Sequence, residues 1–113
     1  MENRQQEITR ISSEIKGVAK RAKVPIVVLS QLNRGVEIRS DKKPVMSDLR
    51  KSGAIEQDAD VVLLLHRQDY YDKTHTGAAA CIVAKNRQGK TGEVPLVWLE
   101  EYVMFANAER IRV

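Results

Sequence analysis

The polar segment at residues 47–60 holds the side chains of this chain that are best placed to do chemistry. It combines acids, bases, a glycine and two hydroxyls, and it ends directly before an apolar run at residues 61–65. A second apolar run precedes it at residues 26–29. Polar connections at the ends of buried strands are where open α/β sheets place their ligand sites. The segment is therefore the first candidate for a binding site.

Gln31 follows the apolar run at residues 26–29 closely and is a candidate for contact with phosphate. The amide of a glutamine at a strand end can hydrogen-bond a terminal phosphate or the water that attacks it, and this couples nucleotide state to the loop behind it. A polar cap at the end of the strand is the alternative. The residue type and its position leave both interpretations open.

Lys85 and Arg87 form the third candidate, a pair of cations two residues apart at a predicted strand end. Because side chains alternate along a strand, this spacing places both on the same face. A solvated basic pair at the end of a hairpin is the commoner role, and the pair by itself favours that alternative.

The letters from Ala84 to Thr91 match a permissive A-x-x-x-x-G-K-T phosphate-loop pattern. A phosphate loop needs a helix that begins at the Lys-Thr pair, so that backbone N–H groups face the phosphates. Gly92 and Pro95 follow instead, within strand-like residues, and both disfavour a helix. We therefore predict a strand, a turn and a second strand here.

Hydrophobic periodicity predicts the elements that position these candidates. Apolar residues at spacings of three and four predict an amphipathic helix at residues 5–23, which Pro25 closes. The apolar runs at residues 26–29 and 61–65 are continuous rather than alternating. Continuous apolarity indicates strands that are buried on both faces, as in a parallel sheet.

The remaining elements are shorter. A short helix is expected at residues 52–57, and polar loops are expected at residues 35–43 and 69–77. Short links in the last third indicate hairpins and antiparallel pairing. These links separate three strand-like runs, at residues 79–84, 94–99 and 103–106.

Composition bounds the function without deciding it. At 113 residues the chain is one domain or a piece of one, and its net charge of +4 permits a nucleic-acid partner without demanding one. The single cysteine, Cys81, cannot form an internal disulfide, which fits a reducing compartment. Neither a signal peptide nor a long apolar run is found, so a cytoplasmic protein without a membrane partner is expected. His66 and His75 lack partners at ligand spacing, and no metal site is predicted.

Together, the polar segments at residues 30–34, 48–60 and 84–89 resemble, in their order and spacing, the C-terminal part of the motor of DnaB-type replicative DNA helicases. The resemblance extends from about Asn3 to Asn107. It implies an α/β fold: an incomplete RecA-like (P-loop NTPase) core with an N-terminal helix, two buried parallel-type strands and a C-terminal antiparallel β-meander. It also implies that residues 1–113 are the C-terminal portion of such an ATPase domain.

The resemblance places Arg50, Lys51 and Gly53 on the loop that faces the central channel of the family's ring and grips single-stranded DNA. In that role Gly53 lets the backbone approach a phosphate, and Arg50 supplies a charged donor. Related helicases often carry an acidic residue where Lys51 stands. The loop is therefore more basic in this chain, and a helix N-terminus with ordinary charged residues is the alternative.

The resemblance also assigns catalytic roles. Gln31 falls on the sensor glutamine of RecA-like motors. Lys85 and Arg87 match a Lys-x-Arg pair that reaches across a subunit interface to the nucleotide held by the neighbour. In that match Arg87 is the trans arginine finger, which stabilises charge on the transferring phosphoryl group.

The activity implied is ATP- and Mg²⁺-dependent unwinding of DNA, 5′ to 3′ on single strand, by a homohexameric ring, with primase and a helicase loader as partners of the parent protein. The family's phosphate loop, catalytic glutamate and Walker B aspartate have no match here, so we expect this chain alone neither to bind ATP tightly nor to hydrolyse it. Exposed strand edges and an exposed apolar face predict association, domain swapping or marginal stability of the isolated chain. The alternatives are a RecA-like ATPase of recombination or clock type and a non-catalytic subunit or single-strand-binding module.

Overall fold

A computed structural model describes residues 4–32, 35–72, 74 and 76–108. In this part of the chain a long helix precedes short helical segments and a sheet. The helices are α1 (Arg4–Ala22), α2 (Gly35–Ile38), α3 (Gly53–Asp58) and α4 (Gln68–Tyr71), with 3-10 turns at Met46–Ser52 and Glu100–Tyr102. The strands are β1 (Val61–Arg67), β2 (Ala78–Asn86), β3 (Gly92–Leu99) and β4 (Met104–Asn107).

The four strands form one sheet in the order β1-β2-β3-β4, and each neighbouring pair is antiparallel. Short connections favour this arrangement, because antiparallel neighbours need only a hairpin between them. The register of the first pair sets Leu64 opposite Ile82, with an irregularity between Val62 and Leu63. The predicted C-terminal meander is confirmed, and so is the turn between β2 and β3.

The core lies where one face of β1 meets the segment before α3. Leu49, Val62 and Leu64 are its buried centre. Side chains alternate along β1, so Leu63 is 57% exposed whereas its neighbour Leu64 is 4% exposed. Partly buried apolar residues surround the centre: Leu32, Met46, Ala59, Ile82 and Ala84.

Local predictions hold within a residue or two. The amphipathic helix expected at residues 5–23 is α1, and the short helix expected at residues 52–57 is α3. The loop expected at residues 35–43 begins with the single turn of α2, and the loop expected at residues 69–77 overlaps α4. These are positions where sequence periodicity over one helical turn is too short to be distinctive.

The prediction of two buried parallel-type strands is corrected. Residues 26–29 have no assigned secondary structure and form no strand with the described sheet, and Val27 and Leu29 are 86% and 93% exposed. The second run, β1, is a strand, but it pairs with β2 in the antiparallel sense. A parallel-type strand needs hydrogen-bonded neighbours, and none of the described strands pairs with residues 26–29. Without such a neighbour, Val27 and Leu29 remain almost fully exposed and Ile26 and Val28 remain partly exposed.

Candidate functional site

Lys85 lies near the end of β2 and contacts the C-terminal end of α3. Its Nζ donates to the carbonyl oxygens of Glu56 at 2.9 Å and Gln57 at 3.1 Å. The last carbonyls of a helix have no partner within the helix, and a lysine ammonium satisfies them while opposing the negative end of the helix dipole. Lys85 therefore ties the hairpin strand to α3.

Arg87 reaches the same end of α3 from two residues further along. Its backbone N–H donates to the Asp60 carbonyl at 2.9 Å, and its guanidinium donates to Asp60 Oδ1 at 2.8 Å and weakly to the Gln57 carbonyl at 3.5 Å. Nearly half of its side chain, 47%, remains exposed. Lys85 and Arg87 thus share one face, as the spacing predicted, and both hold partners within the chain.

Asp60 links α1 to this pair. Lys16 donates from α1 to Asp60 Oδ1 at 3.3 Å and to the carbonyl of Asp58 at 2.6 Å, and Ser12 donates to Asp58 Oδ2 at 2.8 Å. The hydrogen bond and charge of Lys16, with the charge of Arg87, hold the pKa of the Asp60 carboxyl below its ordinary value. The C-terminal end of α3 is therefore held by cations from both α1 and β2.

The candidate DNA loop leads directly into α3. The 3-10 turn Met46–Ser52 contains the backbone of Arg50 and Lys51, and α3 begins at Gly53. The side chains of Arg50 and Lys51 lie outside what the structure describes. Their predicted contacts with DNA therefore stay predictions.

A partly buried ion pair that the sequence did not reveal precedes this loop. Arg39 donates to both carboxylate oxygens of Asp48, at 2.9 and 2.6 Å, and the Asp48 side chain is 3% exposed. The hydrogen bond to Asp48 raises the pKa of Arg39 above its ordinary value. An arginine nine residues before an aspartate has no periodic signal, so only the fold identifies them as partners.

Gln31 lies in the irregular segment that follows α1 and is exposed. The next residue, Leu32, packs against the core, which fixes the backbone at this point. Among the hydrogen bonds of the described residues, none joins Gln31 to Lys85 or Arg87. The structure therefore brings Lys85 and Arg87 together on α3, and no described hydrogen bond connects Gln31 to them.

The sequence also missed an aromatic and cationic cluster at the end of β1. The guanidinium of Arg67 lies 4.4 Å from the ring centre of Trp98 and 5.6 Å from that of Tyr70, and Asp69 accepts two hydrogen bonds from it. A cleft of about 280 Å³ opens beside the cluster and is lined by Tyr71 among others. Burial lowers the pKa of His66, which also lines this cleft.

The phosphate-loop interpretation of residues 84–91 is excluded by the structure. Gly89 and Lys90 lie in the turn of a hairpin, and β3 begins at Gly92. No helix follows to direct backbone N–H groups at a phosphate. Among the described residues, no three His, Cys, Asp or Glu side chains gather in a way that could hold a metal ion.

Comparison with known proteins connects these features to a family. Residues 1–107 match the model of the DnaB-like helicase C-terminal domain. This chain belongs to that family. It is 52% identical over 111 residues to the replicative DNA helicase DnaC of Bacillus subtilis and 50% identical over 111 residues to the DnaB helicase of Geobacillus stearothermophilus.

Solved structures support the same family assignment. A solved ATPase domain matches with a TM-score of 0.90 and 44% identity, and the match covers 96% of this chain and 39% of that one. A DnaB-like replicative helicase, solved to show its interactions with primase, matches equally well and is covered to 26%. The predicted fold class, an incomplete RecA-like core, is confirmed by this DnaB-like domain.

The match covers only part of each relative. The chain spans about a quarter of the length of the curated relatives that it matches, 24% of each of the two named above. In the part of the chain that the structure describes, no helix is both long and apolar enough to cross a membrane.

Proposed function

We propose that this chain forms part of the motor of an ATP-driven replicative DNA helicase, in which it grips single-stranded DNA and completes the nucleotide site of a neighbouring subunit. One observation supports this most. Lys85 and Arg87 lie together on the C-terminal end of α3, and the N-terminal end of that six-residue helix is the candidate DNA loop. One rigid element thus joins the two candidate sites.

DNA contact in this proposal is made to phosphates. Arg50 and Lys51 supply cations, and Gly53 offers backbone N–H groups at the start of α3. Residues 35–53 contain no Trp, Tyr or Phe. Stacking of bases on aromatic side chains is therefore not available in this segment, and the grip is electrostatic and independent of DNA sequence.

The nucleotide role in this proposal falls to Arg87, Lys85 and Gln31. The half-exposed guanidinium of Arg87 suits contact with the phosphates of an ATP held by a neighbouring subunit. ATP with Mg²⁺ supplies the transferable phosphoryl group. The described residues fit the phosphate end of such a ligand, but the hairpin at residues 84–98 provides no cradle, so tight binding and hydrolysis are not expected of this chain alone.

Assembly is required by a site that is shared between subunits. A finger supplied in trans requires a ring or filament, and a homohexameric ring that moves 5′ to 3′ on single-stranded DNA is our proposal. Primase and a helicase loader are the proposed protein partners. The relative solved for its interactions with primase supports the first of these.

The test is binding of a fluorescent oligothymidine by anisotropy across a salt series, for the unmodified chain and for Arg50→Ala. For single strands, log affinity falls with log salt by about 0.7 per phosphate contacted. We expect Arg50→Ala to flatten this slope. Lys90→Ala is the matched control, because it removes one exposed cation from the β2–β3 turn and should leave the slope unchanged.

Equal slopes for the unmodified chain and Arg50→Ala would overturn the assignment of the DNA loop. A second candidate function, a non-catalytic single-strand-binding module, is favoured by one observation: the guanidinium of Arg87 is already paired with Asp60 within the chain. The two candidate functions differ in one measurable outcome. If the chain is only a single-strand-binding module, substitution of Arg87 has no effect on ATP turnover in any assembly.

A further inference from the structure

The guanidinium of Arg39 links the two ends of the chain segment that precedes the candidate DNA loop. Arg39, just after α2, donates to Asp48 Oδ1 at 2.9 Å and to Asp48 Oδ2 at 2.6 Å, and also to the carbonyl of Lys43. A two-pronged bond of this kind fixes orientation as well as distance. The eight residues between the two partners are thereby held as a closed loop.

Asp48 also forms hydrogen bonds with the backbone of Val45. Its Oδ2 also accepts the backbone N–H of Val45 at 2.7 Å, while its own N–H donates to the carbonyl of Val45 at 2.9 Å. This reciprocal pair fixes the start of the 3-10 turn Met46–Ser52. A carboxylate that is 3% exposed has lost most of its contact with water, and these donors offset the cost of that burial.

The backbone between this pair and Arg50 has little freedom. Leu49 is buried in the core at 6% exposure, and its φ and ψ of −88° and 20° break the helical path of the turn. Asp48 is held on one side of that bend, and α3 follows at Gly53. The direction in which the chain leaves the bend is therefore set by Leu49 in the core and by Arg39 on Asp48.

We propose that Arg39 and Asp48 are positioning residues, which hold the backbone of Arg50, Lys51 and Gly53 in the geometry that contacts single-stranded DNA. This inference rests on the proposed function. The physical reason is that phosphate contacts are short and directional. If the loop became ordered only on binding, the lost conformational entropy would weaken its affinity for DNA. The Arg39–Asp48 pair orders the loop in the free protein, so this entropy is not lost on binding.

The experiment measures binding of the fluorescent oligothymidine across a salt series for the full 113-residue chain, for Arg50→Ala and for three further variants. Asp48→Asn removes the carboxylate, and Arg39→Lys keeps the charge but cannot form the two-pronged bond. The control is Lys43→Gln, which removes a cation from the same loop whose partner, Glu93, forms an exposed pair with it. Circular dichroism at the same temperature shows the folded fraction of each chain.

The sign of the charge change makes the test decisive. Asp48→Asn makes the chain more positive, so nonspecific electrostatics alone would tighten DNA binding. We expect the opposite: a loss of roughly tenfold in affinity, equivalent to one charge-assisted hydrogen bond, with a flatter salt slope. Arg39→Lys leaves net charge unchanged and should show the same flattening, whereas Lys43→Gln should keep the slope of the unmodified chain.

The outcomes separate this inference from the function on which it rests. If Arg50→Ala weakens binding while folded Asp48→Asn and Arg39→Lys bind like the unmodified chain, the positioning role is wrong and the DNA loop stands. If Arg50→Ala has no effect, or if the unmodified chain does not bind, the proposed DNA function fails and this inference fails with it. If Asp48→Asn does not fold, Arg39→Lys alone decides the question.

Discussion

Arg87 is held by Asp60 through two bonds at once: its backbone N–H meets the Asp60 carbonyl at 2.9 Å, and its guanidinium meets Asp60 Oδ1 at 2.8 Å. The backbone bond extends the pairing of β2 past its last ladder partner. The side-chain bond then directs the guanidinium along the C-terminal end of α3. Asp60 therefore orients the residue that we propose as the trans finger.

Removal of the Arg87 guanidinium should abolish most ATP turnover in an assembled motor. The protein to use is a chimera in which residues 1–107 of this chain replace the matching part of the Bacillus subtilis helicase DnaC, to which it is 52% identical. Arg87→Ala should lower single-strand-stimulated ATP hydrolysis by roughly 10³-fold or more, the range of arginine fingers in other NTPases.

Lys90→Ala in the same chimera is the matched control, since Lys90 lies in the exposed β2–β3 turn. It should retain turnover. Full activity of Arg87→Ala would instead favour the single-strand-binding module, and retained DNA binding by Arg87→Ala would show that the loss is specific to the nucleotide site.

Asp60 should make stability depend on pH in a defined direction. Its folded-state pKa is lowered, chiefly by the hydrogen bond from Lys16, so its contribution is present above the ordinary pKa of 3.8 and is lost as pH falls through the folded value. Asp60→Asn should therefore lower the Tm at neutral pH, and the difference should vanish in strong acid. Thermal unfolding followed by circular dichroism measures both.

The effect should be small, because the Asp60 side chain is largely exposed to solvent. Glu100→Gln, which neutralises an exposed carboxylate at the end of β3, serves as the comparison. A Tm difference for Asp60→Asn that is the same at every pH would show that the carboxylate charge is not what stabilises this contact.

Leu63 and Leu64 offer a matched pair for the packing of β1. Leu64 is buried in the core, so Leu64→Ala should lower the free energy of unfolding by about 2–5 kcal/mol. Leu63 lies on the opposite, exposed face of the same strand, so Leu63→Ala should cost much less. Urea denaturation of the two variants measures the difference, and equal losses would contradict the observed alternation of β1.

The outer edge of the sheet should make the isolated chain self-associate. β1 is an edge strand of the described sheet, and Val61, Leu63 and Leu65 are all about half exposed on one face. An apolar edge with unpaired backbone groups favours pairing with another chain. We expect the mass measured by light scattering to rise with protein concentration.

Leu63→Lys should reduce this association, because a charge on an edge strand opposes pairing. Val94→Lys is the control, since Val94 is similarly exposed but lies on β3, which has neighbours on both sides. An unmodified chain that stays monomeric at all concentrations would contradict the prediction.

What the sequence determined is what short-range physics controls. The stripe of apolar residues that gives α1 and the short links that give the β2–β3 and β3–β4 hairpins each lie within a short stretch of chain. Gly92 and Pro95 were enough to reject a phosphate loop, because both act on the local backbone. The Lys85–Arg87 spacing fixed a shared face for the same reason.

What only the tertiary structure decided depends on contacts between distant residues. Residues 26–29 and β1 have similar runs of apolar residues, yet β1 is a paired strand and residues 26–29 are exposed. The reason is that a strand is stabilised by a neighbouring strand, which no local sequence pattern specifies. The bond of Lys85 to α3 and the Arg39–Asp48 pair were equally hidden. Polar partners across a loop have no period, and they are found only when the chain has folded and brought them together.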